Sequence, residues 1–289
     1  MLQLVLFNVT NGLIVGAFYV LMALGLSLII NLSNVVNFAH GNFLALGGYF
    51  AFTLTPYIGF WGALLIAPFL TAIFGCVLEK LIIRHVYMRN HIYSLLLTFG
   101  LAFILQDSCR YLWGPSPLPL TIPDVMSQPI TAALFFVTWY RVFMVAIVAI
   151  AVAGLFAFLR YTRVGMRIRA GTLDLDTVSA LGVNVAALRS YNFAVGSFLA
   201  GLAGVLAAGQ IGLNPNMGDD LIMPSFIAII VGGVGSLTGT LLGGLLIGVA
   251  SALTTVVYPA ASDAVIYVIM ALVLLLRPRG LLGEEGMLT

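Results

Sequence analysis

Apolar runs separated by short polar intervals fill this chain from end to end. Runs that suit helices crossing a bilayer fall near 8–30, 60–83, 92–110, 137–159, 190–211, 239–258 and 263–276; a span takes about 20 residues, and the last run is short of that. Two shorter runs rich in glycine lie near 42–56 and 222–236. Counting all nine as crossings, with the N-terminus outside, sorts the positive charges. Lys80, Arg84, Arg89, Arg160, Arg163, Arg167, Arg169, Arg189, Arg277 and Arg279 then share one face, and Arg110 and Arg141 remain on the other. The richer face is the cytoplasmic one. If both short runs were re-entrant, the count would drop to seven with the same sorting, so charge leaves that alternative open. The pattern predicts an all-α integral membrane protein: a polytopic helical bundle of about eight or nine transmembrane segments with short Gly-broken helices, forming one transmembrane domain over residues 1–289.

Composition agrees. Hydrophobic residues make up 62% of the 289 positions and charged residues 8%, against about 25% charged in soluble domains. So few charges do not cover a soluble surface, and the long runs indicate helices rather than a barrel. Residues 1–30 lack a basic start and a small-residue cleavage site, which predicts a retained first helix and no signal peptide. A net charge of +2 without a basic patch points away from nucleic acid. Cys76 and Cys109 lie in different runs, which predicts no disulfide, and no metal-ligand spacing is present.

The longest polar interval, 160–189, carries five of the twelve Lys and Arg residues. After the basic run containing Arg167 and Arg169, Thr172 is placed to cap a short helix, with Asp174 and Asp176 favouring its positive end. Leu175, Val178 and Leu181 recur at three-residue spacing, and Gly182 supplies a stop. Two readings follow: a helix that docks by its apolar side into a groove on a soluble partner, or a solvated loop containing a helical turn. The opposite, external loop, 111–136, holds five prolines and Trp113. It predicts an ordered, non-helical cap, whether as a connector or as a receiver of an external partner.

Two Gly-interrupted segments stand in the two halves of the chain. The first is Asn37-Phe38-Ala39-His40-Gly41-Asn42, followed by Gly47 and Gly48; the second contains Gly232, Gly233, Gly235 and Ser236. Paired broken helices point to a transport pathway, because their exposed backbone groups need a water-lined cavity or protein contact. Asn37, His40, Asn42 and Ser236 would add polar side chains to its lining, His40 as a packed residue rather than a proton carrier. The pairs Gly12/Gly16, Gly239/Gly243 and Gly244/Gly248 permit close helix packing in lipid.

The acids all fall at helix ends or in loops, Glu79 and Asp107 among them, so the intramembrane acid expected of an ion-coupled carrier is missing. No G-x-x-x-x-G-K-[ST] loop, H-E-x-x-H or G-x-S-x-G occurs. The expectation is a non-enzyme with no catalytic residues, no metal and no cofactor of its own.

These features together resemble the permease subunits of bacterial ABC importers of the branched-chain amino acid (Liv) type, the LivH-like half of the pair. The resemblance rests on Asn37-Phe38-Ala39-His40-Gly41, the run GGVGSLTGTLLGGLLIG from Gly232 to Gly248, and the ending Leu276-Arg277-Pro278-Arg279-Gly280-Leu281. The stretch RAGTLDLDTVSALGVNV looks like the family's coupling segment. Asn42 departs from the family, in which an acid often follows the His-Gly. The resemblance implies a multi-pass protein of the bacterial inner membrane that works with a second, LivM-like permease, two cytoplasmic ATPases binding ATP and Mg, and a periplasmic binding protein. It implies import of branched-chain or other amino acids, with urea, short amides and aromatic acids also carried by related systems. The alternative from the residues alone is a self-sufficient secondary transporter or channel for a small solute.

Overall fold

The computed structural model describes residues 2–87, 89–132 and 135–283. The chain is helical nearly throughout. Its helices are α1 (Leu2–Ser33), α2 (His40–Leu81), α3 (His91–Trp113), α4 (Asp124–Ser127), α5 (Trp139–Tyr161), α6 (Arg163–Leu173) and α7 (Leu175–Ala180), then α8 (Val185–Ile211), α9 (Met217–Gly232), α10 (Leu237–Val257) and α11 (Ala264–Leu276). Six of them, α1, α2, α3, α5, α8 and α10, are long and apolar enough to cross a membrane. Hydroxyls inside these helices return their proton to their own backbone, as Thr55 does to Ala51 O (2.7 Å) and Thr71 to Ala67 O (2.9 Å). A polar side chain in lipid has to find such a partner.

The sequence pattern separates 42–56 from 60–83, but the structure joins them. Helix α2 runs for 42 residues and breaks at Gly59, whose φ of 70° and ψ of 170° lie outside helical space. The two sides are legs of a hairpin. Gly47 and Thr71, equally far along the chain from Gly59, both pack on Gly201 of α8, and the rings of Phe43 and Phe74 meet at 6.5 Å. The short run therefore extends to a helix of residues 40–58, whose turn is a single glycine in a conformation costly for other residues. Tyr57 and Trp61 flank the turn and are exposed, as suits the membrane interface.

The second short run, 222–236, becomes α9, 16 residues long, and α11 has 13; both are shorter than a full span of about 20 residues. The Pro-rich interval 111–136, expected to be an ordered, non-helical cap, begins with the end of α3 and contains the single turn α4; an antiparallel pair, β1 (Pro129–Ala132) with β2 (Phe135–Thr138), carries the chain on from it.

The residues divide into two compact units. In the unit of Met1–Ser27, Ile122–Val148 and Asp220–Thr289, α1 crosses α10 glycine to glycine. Gly12 lies so close to α10 that a Cβ there would sit 2.6 Å from Val249 Cα, and Gly16 faces Gly244 O at 3.1 Å. Two of the G-x-x-x-G pairs noted in the sequence thus face each other. Further along, α9 and α10 pack Gly232 on Gly239 and Ala228 on Gly243. In the unit of Leu28–Thr121 and Ala149–Asp219, the α2 hairpin wraps α8, with Gly47 on Gly201 and Gly204 on the Leu44 carbonyl.

Candidate functional site

Polar groups gather at three places. The first is the interval 160–189, which is mostly helix rather than loop. Thr162 caps α6 by accepting from Gly165 N at 3.0 Å, and α6 continues through Arg167, Arg169 and Thr172. Thr172 therefore does not cap the short helix. It lies within the last turn of α6, where its hydroxyl donates to Arg169 O at 2.8 Å. The cap of α7 is Asp174, which accepts from Asp176 N at 3.0 Å and Thr177 N at 2.9 Å and also from the Thr177 hydroxyl. These bonds, the Thr177 hydroxyl first, hold its carboxyl below the usual carboxylate range. Asp can cap as well as Thr, and the extra residues of α6 shift the boundary by two positions.

The three apolar residues of this element do not share one environment. Val178 is buried, Leu175 is half-buried, and Leu181 is 78% exposed. Val178 thus anchors α7 to its own chain, while Leu181 points outward beside the stop at Gly182, where φ is 83°. Leu173, just before the cap, is 79% exposed as well. Arg167, Arg169 and Asp176 are exposed. Gly171 holds the element down, because the space a side chain would need is filled by Leu32, Leu175 and Leu188.

The second place is the start of α2. Asn37, His40 and Asn42 are all buried at its first turn or in the connector before it. Here the beginning of α9 lies against the beginning of α2: Gly218 packs on the Gly41 carbonyl, and a Cβ on it would reach Asn42 N at 3.0 Å. Two helix N-termini thus meet at one point. The side-chain nitrogen and oxygen of both Asn37 and Asn42 find no hydrogen-bond partner among the described residues. Leaving a buried amide group unpaired costs about 1–3 kcal/mol, and buried water commonly supplies such a partner.

The other residues expected on the path lie at helix crossings and turns. Gly47 and Gly48 serve the crossing of α2 with α8, where backbone and Leu213 fill the space beside them. Gly232 packs on Gly239, and Gly233 and Gly235 form the turn between α9 and α10. Ser236 caps α10 by accepting from Gly239 N at 3.0 Å. The terminal segment closes over this turn through Leu281 N to Val231 O and Leu282 N to Gly232 O, each 2.9 Å.

The third place was not foreseen. Glu79 does fall in the last turn of its helix, as expected of the acids, but it is wholly buried rather than solvated. Ser190 donates to it at 2.5 Å, Tyr87 at 3.1 Å and Arg84 at 3.4 Å, and Arg84 also donates to Ser190 at 2.8 Å. Burial, with the Glu79 charge next, pushes the Tyr87 phenol up. Arg189 sits over the Tyr87 ring at 4.9 Å. The sequence signal was a lone acid inside the apolar run before Lys80; the partner Ser190 lies 111 residues away and no spacing rule reaches it.

The family model for the permease component of branched-chain amino acid transport systems matches residues 8–274. The chain is 30% identical to the high-affinity branched-chain amino acid transport system permease protein BraD of Pseudomonas aeruginosa, over 96% of this chain and 95% of that protein. It is 29% identical to LivH of Escherichia coli K12, over 95% and 94%. It is also 26% identical to LivM of the same strain, over 91% of this chain and 67% of LivM.

Proposed function

Since the chain belongs to the permease-component family of branched-chain amino acid transport systems, we propose that it is the transmembrane subunit of an ATP-driven importer in a bacterial inner membrane. It passes a small polar solute, a branched-chain or other amino acid, delivered by a periplasmic binding protein. Two cytoplasmic ATPases, which bind ATP and Mg, supply the energy. A second, LivM-like permease completes the membrane part; E. coli K12 has both a LivH and a LivM similar to this chain.

The observation that carries this reading is the α6–α7 element. It is capped at both starts, anchored by Gly171 and Val178, and presents Leu173 and Leu181 outward. A rigid element with exposed leucines fits a groove on a soluble partner, and the ATPase is the partner such a permease needs. The start of α2 beside the start of α9 is the point at which solute meets the permease, because two helix ends and unpaired amides there call for a polar guest. The test is uptake of leucine into proteoliposomes holding the complete complex and its binding protein. Uptake that requires ATP supports the importer. Uptake by this chain alone, without ATP, would make it a self-sufficient carrier or channel.

A further inference from the structure

On the outer face of the unit of Leu28–Thr121 and Ala149–Asp219, a groove of about 530 Å³ separates α5 from α2 and α8. We propose that this groove holds one acyl chain of an anionic phospholipid, whose phosphate is met by Arg160 and Arg163. Phe69 of α2, Gly154 and Phe158 of α5, and Tyr191 and Phe198 of α8 line it, with a single hydroxyl among them. Phe69 is 59% exposed beside Phe198, with ring centroids 4.9 Å apart, so the groove opens to the membrane. A Cβ on Gly154 would meet nothing within 4 Å, so the α5 wall stands clear of its neighbours there. The lining on α8 runs from Tyr191 to Leu199, about 12 Å along the helix axis. Half of a hydrocarbon core is about 15 Å, so the groove matches the depth of one leaflet. A helix filling that length would need roughly 900–1,400 Å³, given a diameter of about 10–12 Å. The space present suits a flexible chain, and a helix of another subunit would only cross its mouth.

Charge fixes which end takes the headgroup. The groove follows α5 from Ala151 to Phe158 and reaches Val164, the second residue of α6. Gly165 packs on the Phe158 carbonyl, which folds the start of α6 back against the end of α5. Arg163 directly precedes Val164, Arg160 follows Phe158 by two residues, and both are exposed. Between Arg160 and Leu173 stand four arginines and no acid; Asp174 and Asp176 come later, at the start of α7. Glu79, on the neighbouring end of α2, is buried and held by Ser190, Tyr87 and Arg84. Tyr191 and Tyr161, over whose ring Arg160 lies at 5.6 Å, are exposed at this same end, as suits the membrane–water boundary. A chain entering here brings its phosphate to guanidinium groups, which bind phosphate well. A zwitterionic headgroup adds an ammonium beside them and gains less.

Photolabelling of the full chain with its co-purifying subunits in nanodiscs tests the site. The probes are phosphatidylglycerol and phosphatidylcholine, each with a diazirine midway along one chain and each diluted into the same phosphatidylcholine bilayer. Peptides holding Phe158 and Phe198 should be labelled about fivefold or more in favour of phosphatidylglycerol, the preference expected for each arginine near a membrane surface. Gly154→Leu fills the groove from a position with open space beside it and should lower that labelling by on the order of tenfold. Gly100→Leu, equally open but on α3, should leave it unchanged. The double variant Arg160→Gln, Arg163→Gln should bring the two probes level while the groove is still labelled. The probe comparison needs no variant, so it decides even where Gly154→Leu fails to assemble. Equal labelling by the two probes in the unaltered chain, or indifference to Gly154→Leu, overturns the proposal. So does an absence of label on these peptides, as when another subunit seals the groove.

Discussion

Leu181→Asp separates folding from partner binding, because the residue is exposed in the chain itself. A buried leucine contributes about 1.5–3 kcal/mol relative to an exposed one. Leu181 is 78% exposed, so roughly three-quarters of that, about 1–2 kcal/mol, is available to a partner. Leu181→Ala should then weaken ATPase binding about 5- to 30-fold, each 1.4 kcal/mol being a factor of ten. Leu181→Asp adds the desolvation of a carboxylate inside the contact and should weaken binding by on the order of a hundredfold or more. The permease itself should be unaffected, since exposed substitutions change stability by about 0.5 kcal/mol or less. The assay is titration of the purified ATPase onto the permease in nanodiscs, with uptake and ATP hydrolysis measured on the same samples. Full affinity and full uptake in Leu181→Asp would show that the α6–α7 element does not carry the contact, and the reading of it as a coupling helix would be wrong.

Thr172→Ala should leave coupling nearly intact, whereas Asp174→Ala should loosen α7; amide exchange at Thr177 reads both. Because the Asp174 carboxyl is depressed in the folded chain, its contribution is complete above the unfolded carboxylate value of about 4 and is lost as pH falls through the lower folded value. Protection of the Thr177 amide should therefore stay level from neutral to mildly acidic pH and disappear only in strong acid. Glu79→Ala leaves the Ser190 and Tyr87 hydroxyls without their buried acceptor, while Arg84 is partly exposed, and should cost about 1–3 kcal/mol, read as a lower unfolding temperature. Gly232→Leu should prevent assembly rather than merely block passage, because Gly239 fills the space; a normal elution profile for that variant would contradict the packing described.

Long spans were legible in the sequence because period and composition report them directly. The helices α3, α5, α8 and α10 fall close to their apolar runs for that reason. Counting 42–56 and 60–83 as separate crossings already implied a reversal between them. Its form was not legible, since a single glycine replaces the polar loop that normally marks one, and the contacts of Gly201 and of Phe43 with Phe74 show the two legs side by side. In the interval 160–189 the short helix and its glycine stop were readable. The cap was misplaced because Thr172, Asp174 and Asp176 all suit a cap and only the end of α6 decides among them. The polar start of α2 was recognised from residue type, but its pairing with Gly218 is a contact over more than 170 positions. Glu79 was legible as a helix-end acid, but its burial was not, because its partners converge from the turn after α2 and from α8.

The reversal at Gly59 also sets an order of assembly during synthesis. Translation proceeds at roughly 5–20 residues per second, so the second leg of α2 follows the first within roughly 1–4 s, and the legs meet as neighbours. Gly201, which packs against both, is translated 130 residues after Thr71, roughly 6–26 s later. For that interval the residues that fill the space beside Gly47, Gly48 and Thr71 in the folded chain are not yet made. The hairpin is thus a mould waiting for its casting. Substitutions that delay the arrival of α8, even far from that space, would be felt first as retention by the insertion machinery and turnover by membrane proteases, before any change in transport.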